Sequence, residues 1–187
     1  MSGKINKRII AIVGMPGAGK SEAAEYFNTK GIPILRFGDQ TDIGLRESGK
    51  ELTEENERRY RETLRKELGM AAYAIKIKPR IDRVLKEHDI VVLDGLYSWE
   101  EYTYLRKQFS GLSLLCIYAR PETRYNRLTA RSHRSLTKQT ARSRDIAELE
   151  HLNKGGPIAI ADYLVVNEKT KQDFFKQLDT FFLHLTS

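Results

Sequence analysis

Residues 9–27 read IIAIVGMPGAGKSEAAEYF. An apolar run enters a glycine-rich turn, the turn ends in Lys20-Ser21, and a helix-like pattern follows. Gly14 to Ser21 match G-x-x-x-x-G-K-[ST] without a mismatch, after a strand pattern and before a helix pattern, the context that this motif requires. Glycines let backbone N–H groups converge on phosphate oxygens, and the helix start adds a favourable dipole. Lys20 can reach the β and γ phosphates, and Ser21 offers a hydroxyl to Mg²⁺. The loop is thus built for a nucleotide, and the rest of the chain must say whether the phosphates drive work, act as a switch, or are passed on.

Outward from this stretch, five short apolar or β-branched runs read as strands: Arg8 to Val13, Ile32 to Arg36, Ile90 to Asp94, Ser113 to Tyr118 and Tyr163 to Val166. Helix-like segments separate them. The first two runs are almost continuously apolar, as parallel strands covered on both faces require. The expected fold is α/β, a five-stranded parallel sheet flanked by helices. Ser98 and Glu101 form an S-x-x-E capping box, and Thr53 can cap the long charged segment that follows it, which Pro79 should break or kink. Pro121 suits a first helical turn. Gly155-Gly156-Pro157 should close the helix running through ARSRDIAELEHL.

The 187 residues fit one domain, 1–187, with no internal repeat or linker. No run approaches membrane-spanning length, and the basic start, Lys4, Lys7 and Arg8, is followed by only five apolar residues, so neither a signal peptide nor a membrane partner is expected. The single Cys116, in an apolar run, reads as a small core residue, and a reducing, cytoplasmic setting fits. The four histidines lack metal-ligand spacing. The net charge of +7 raises the question of nucleic acid. Residues 120–144 hold eight Arg or Lys against one acid, Glu122, so the whole excess lies in that segment and the remainder balances. This argues against a general nucleic-acid surface.

Asp94 closes an apolar strand as a Walker B acid does, near the magnesium. Gly95 follows it, where work-producing ATPases commonly place a water-activating Glu. The GTPase signatures D-x-x-G and N-K-x-D are absent, Asn153-Lys154-Gly155-Gly156 lacking the acid that reads guanine. Arg120, Arg124, Arg127, Arg131 and Arg134 follow spacings of 4, 3, 4 and 3, which on a continuous helix fall within an arc of about 80°. A row of guanidiniums suits charge stabilisation in phosphoryl transfer.

With these motifs the chain resembles the nucleoside-monophosphate-kinase group of P-loop proteins, particularly adenylate kinase, dephospho-coenzyme A kinase and archaeal adenylate-kinase-related proteins, from about Arg8 to Phe182. GIPILRFGD looks like the second strand of these kinases, with Gly38-Asp39 facing the phosphate acceptor. VVLDGLYS looks like the third, YARPETRYNRLTAR like the fourth strand and lid, and IADYLVVNE like the last strand, with Asp162 to Asn167 near the nucleotide base. The resemblance implies an acceptor-binding region over about 40–88 and an arginine lid over about 120–150. It implies nucleotide contacts from Gly14, Pro16, Gly17, Ala18, Gly19, Lys20, Ser21, Ala23, Arg127 and Asn167, and metal contacts from Ser21 and Asp94, in part through water. Lys20, Asp39, Asp94, Arg127 and Arg131 would be catalytic.

Two departures bear on the acceptor. Adenylate kinases place an Arg three residues after the Gly-Asp, where this chain has Asp42, and another shortly after the second Asp-Gly, where it has Tyr97-Ser98. An anionic acceptor would then need Arg46, Arg58 or Arg59 as a substitute, while Asp39 and Asp42 suit a hydroxyl acceptor. Asp39, Arg46 and Tyr97 are the expected acceptor contacts. Tyr97, Trp99, Tyr102 and Tyr104 can stack on a base or simply pack. The expected activity is Mg²⁺- and ATP-dependent transfer to a small nucleotide-like molecule, either a nucleoside monophosphate or a hydroxyl acceptor such as dephospho-coenzyme A. The alternative is a P-loop ATPase or regulatory module whose basic lid binds nucleic acid or a protein.

Overall fold

The computed structural model describes residues 7–132 and 135–186. In chain order the elements are β1 (Arg8–Val13), α1 (Lys20–Thr29), β2 (Ile34–Arg36), α2 (Asp39–Glu47), α3 (Glu54–Leu68), α4 (Ala72–Glu87), β3 (Ile90–Asp94), α5 (Trp99–Gln108), β4 (Leu112–Tyr118), α6 (Pro121–Thr129), α7 (Lys138–Leu152), α8 (Gly155–Ala159), β5 (Tyr163–Val166) and α9 (Lys171–Thr186). The strands form one parallel sheet in the order β2-β3-β1-β4-β5. β2 starts at Ile34 rather than Ile32. Pro33 has no N–H to give, although its carbonyl accepts from Val92 N at 2.9 Å.

The near-continuous apolar run of β1 serves two cores at once. Ile9, Ala11 and Val13 face Ile77 and Ile81 of α4 and Leu105 of α5. Ile10 and Ile12 face Phe27 of α1 and Phe174, Leu178 and Phe181 of α9. Each fully buried Ile, Val, Leu or Phe among them contributes roughly 1.5–3 kcal/mol. Because all strands run parallel, their carboxyl ends share one edge, and the loops after them converge there.

Three local expectations are corrected. The charged segment after Thr53 does not run unbroken to Pro79. It closes at Gly69, φ 75°, whose N–H bonds to Arg65, and α4 then begins at Ala72. Pro79 lies inside α4 without breaking it, because Tyr73, Ile77 and Ile81 anchor the helix in the core on both sides. The helix through ARSRDIAELEHL ends at Asn153, φ 49°, one of the few residue types that tolerate this left-handed conformation, while Gly155-Gly156-Pro157 form α8. The arginines at 120–134 do not share one helix. α6 ends at Thr129, Arg120 is its N-cap, Arg131 lies beyond it, and Arg134 is outside the described residues.

Candidate active site

The loop between β1 and α1 is held from behind by its neighbours. A Cβ on Gly14, φ +141°, would stand 2.3 Å from the Ile117 carbonyl oxygen, and one on Gly17, φ +79°, would stand 2.6 Å from that of Arg124. Only glycine fits either place. Asn167, at the end of β5, donates its amide to Ala18 O at 2.9 Å and closes the loop's other flank. Lys20 turns back over the loop and donates to the carbonyls of Gly14 at 2.8 Å and Met15 at 3.2 Å. Burial depresses the Lys20 ammonium to about 7, and the charge of Lys154 adds to the depression, while Glu148 and Asp94 oppose it. An anion bound at the loop would reverse that balance.

Asp94 ends β3, facing the loop. Burial raises its carboxyl above the usual range, against the pull of Lys20, of Arg36 and of the Ser21 hydroxyl that bonds to it. Arg36 Nε lies 3.9 Å from Asp94 Oδ2. A carboxylate and a hydroxyl meeting beside a phosphate loop are the oxygen donors that Mg²⁺ prefers, so Ser21 and Asp94 fit that ion.

Beside these groups opens a cleft of about 760 Å³, lined by Gly38, Thr41 and Asp42 of the α2 start, Glu54, Glu57, Arg61 and Arg65 of α3, Tyr73 of α4, Tyr97, and Leu136, Arg144, Glu148 and Leu152 from the α7 side. α2 closes onto α3 because Gly44 leaves room for Tyr60, whose hydroxyl would stand 2.0 Å from a Cβ there. Arg61 pairs with Glu57 at 3.3 Å. Arg65 lies over the Tyr73 ring at 5.5 Å. Arg144 Nε donates to Glu148 Oε1 at 2.9 Å, and Glu148 also pairs with the ammonium of Lys154. Lys154 is 2% exposed and lies 4.9 Å from the centre of the Tyr97 ring. Burial, with Asp94 and Glu148 nearby, pushes the Tyr97 phenol up to about 12.

The residues expected from sequence are distributed unevenly around this cleft. Tyr97 lines it, but Arg46 is exposed and does not. Arg58 and Arg59 make exposed pairs with Glu62 and Glu55 along α3. Asp39 is 3.4 Å from Arg80 and lines a smaller pocket with Arg36 and Glu25, so of the two aspartates at the start of α2 it is Asp42 that lines the cleft. Arg127 donates to the backbone and side-chain oxygens of Asn167 at 2.9 and 3.3 Å, at the flank of the loop rather than in the cleft, and its buried Nη1 has no partner among the described residues. Arg131 is exposed and away from the cleft lining. Arg124, counted in the row, is buried against Asp145. Pro16 accepts from Arg124, and Ala23 is fully buried under the loop.

The cations that do reach the cleft, Arg61, Arg65 and Arg144, and Lys154 behind them, were not singled out from sequence. Arg61 and Arg65 stand four apart on a helix that reads as a solvated, salt-bridged face, and only packing tells its cleft side from the other. No described helix is long and apolar enough to cross a membrane.

Comparison with known proteins places the chain. The AAA_18 family model, described as an AAA domain, matches residues 10–148. The UPF0200 protein of Methanocaldococcus jannaschii is 39% identical over 173 residues, 91% of this chain and 87% of that one. Among solved structures, TT1252 from Thermus thermophilus has a TM-score of 0.64 at 20% identity, over 97% of this chain and 100% of that one. A shikimate kinase from Bacteroides thetaiotaomicron has a TM-score of 0.62 at 12% identity, over 96% and 99%. At these identities the likeness shows the fold alone, a parallel sheet flanked by helices. The chain is a member of the UPF0200 family and of the AAA_18 family of AAA domains.

Proposed function

We propose that this protein is a kinase that passes the γ-phosphoryl group of Mg²⁺-bound ATP to a small anionic molecule held in the cleft. The observation that carries this reading is the adjacency of two half-sites. Lys20, Ser21 and Asp94 form the donor side, and a 760 Å³ cleft with Arg61, Arg65, Arg144 and Asp42 in its walls forms the acceptor side. A cleft of this size with a few convergent polar and charged groups is the form that a small-molecule site takes. The P-loop kinase fold supports the reading, as does the likeness of the loop and strand motifs to adenylate kinase and dephospho-coenzyme A kinase.

Lys20 would leave the Gly14 and Met15 carbonyls for the β and γ phosphates. Ser21 and Asp94 would hold the magnesium, which when bound neutralises phosphate charge. Arg61, Arg65 and Arg144 stand in for the two arginines that this chain lacks, where it has Asp42 and Tyr97-Ser98, and they hold the acceptor's anionic group. Asp42, half-buried and without an ion pair among the described residues, is free to orient the acceptor hydroxyl and take its proton, which Asp39, engaged with Arg80, is not.

The test is ADP release from ATP in the presence of nucleosides, nucleoside monophosphates, dephospho-coenzyme A and phosphorylated sugars, each with and without enzyme. Acceleration by a phosphate-bearing acceptor, lost by about 10²-fold in Asp42→Asn, is the expected result. Steady hydrolysis that no acceptor changes, and that RNA or DNA stimulates in a salt-sensitive way, would replace this reading with an ATPase or regulatory module.

A further inference from the structure

Lys154 is a lysine with almost no exposed surface, placed at the junction of the two half-sites. Its ammonium pairs with Glu148, whose other oxygen is taken by Arg144, and it lies over the ring of Tyr97. That ring packs against Gly95, where a Cβ would meet Tyr97 Oη at 3.2 Å, and Gly95 directly follows Asp94. A continuous set of contacts therefore runs from the end of β3 through Tyr97 and Lys154 to the cleft wall at Glu148 and Arg144.

Anchoring α8 does not require this lysine. Gly156 already seats α8 on α5, with the Trp99 ring only 2.6 Å from where a Cβ would be. A buried ion pair can often be replaced by apolar residues without loss of stability, so its presence calls for another reason. The transferring phosphoryl group offers one, since it needs positive charge opposite Lys20 and the loop after β3 supplies none, having Tyr97 and Ser98.

We propose that Lys154 is a catalytic residue of the phosphoryl transfer, its ammonium moving from Glu148 to an oxygen of the γ-phosphoryl on the side facing the cleft. This rests on the proposed function. In the step, the bond from phosphorus to the β–γ bridging oxygen breaks and its electron pair leaves with ADP. The bond to the acceptor oxygen forms, and the acceptor's proton goes to Asp42. Lys154 neither gives nor takes a proton.

The experiment compares wild type with Glu148→Gln/Lys154→Gln, which removes both buried charges and keeps hydrogen-bonding side chains, and with Lys154→Arg, which keeps the cation. Dissociation constants for Mg-ADP and for the non-hydrolysable β,γ-imido analogue of ATP are measured by calorimetry. The double variant should weaken the triphosphate analogue about tenfold while changing ADP less than about twofold, and Lys154→Arg should retain most of the difference. With a working acceptor, kcat in the double variant should fall about 10²-fold, and Lys154→Arg should keep most of it. If both nucleotides weaken equally, or neither does, the role of Lys154 is overturned. If wild type transfers phosphate to no acceptor, the kinase reading falls, and the nucleotide comparison still decides whether Lys154 meets the γ-phosphate.

Discussion

The Arg124 guanidinium bonds to both oxygens of Asp145, with Nη1 2.9 Å from Oδ1 and Nη2 2.6 Å from Oδ2, and the same Nη1 donates to the Pro16 carbonyl at 3.0 Å. One buried side chain thus ties α6, α7 and the phosphate loop together, and α7 is the element that carries Arg144 and Glu148 to the cleft. Removing one partner leaves a buried charge uncompensated. Asp145→Asn should therefore cost about 3–5 kcal/mol, read as a lower urea midpoint. Arg124→Met with Asp145→Leu should recover most of that stability while weakening Mg-ADP binding, because the Pro16 carbonyl stays without its partner.

Gly17 offers a sharper probe of the loop. Gly17→Ala combines an unfavourable φ with a Cβ 2.6 Å from the Arg124 backbone oxygen, which cannot move without shifting α6. Nucleotide affinity should fall by at least about tenfold, with a loss of stability on the order of 1–3 kcal/mol. Gly49→Ala, which also has φ > 0 but nothing within 4 Å, should leave nucleotide binding unchanged.

The capping box after β3 predicts a pH effect. Glu101 is 1% exposed and accepts from Tyr97 N at 2.7 Å and Ser98 N at 3.2 Å. Burial raises its carboxyl from 4.5 to about 7, against the lowering effect of those two bonds. A carboxyl whose folded pKa lies above its unfolded value binds its proton more tightly when folded. Its contribution favours the folded state at low pH and is lost as pH rises from about 4.5 to about 7, of order 3 kcal/mol in all. Glu101→Gln, which keeps an acceptor oxygen, should abolish this slope. Urea unfolding of both proteins at pH 5, 6, 7 and 8 checks it, and parallel curves would contradict it.

On the proposed function, the cleft arginines should separate from the phosphate-loop groups in kinetics. Arg65→Met, with Arg65 stacked on Tyr73 in the cleft, should raise the acceptor KM at least about tenfold and leave the ATP KM within about twofold. Arg46→Met, on the exposed side of α2, should change neither.

The phosphate loop, the five strands and the caps at Ser98, Thr53 and Pro121 were legible in the linear sequence because each is a short-range pattern. Glycine spacing, short apolar runs and side-chain-to-backbone bonds need only neighbouring residues. Asp94 was legible for the same reason, as the acid at the end of an apolar run. The placement of charge was not. Arg124, Arg127 and Arg131 have helical spacing, yet the ending of α6 at Thr129 and the burial of Arg124 against Asp145 send them to three different environments.

By itself, then, the sequence determined that a nucleotide loop sits at the carboxyl edge of a parallel sheet. Which of Asp39 and Asp42, and which cations, line the cleft was decided only by tertiary structure. Asp39 and Asp42 are three residues apart, and the helix turns one toward Arg80 and the other into the cleft. Lys154 lies 134 positions beyond Lys20 and acts on its charge only because α7 and α8 fold back over the end of β3. Electrostatic interactions fall with distance through space and take no account of distance along the chain.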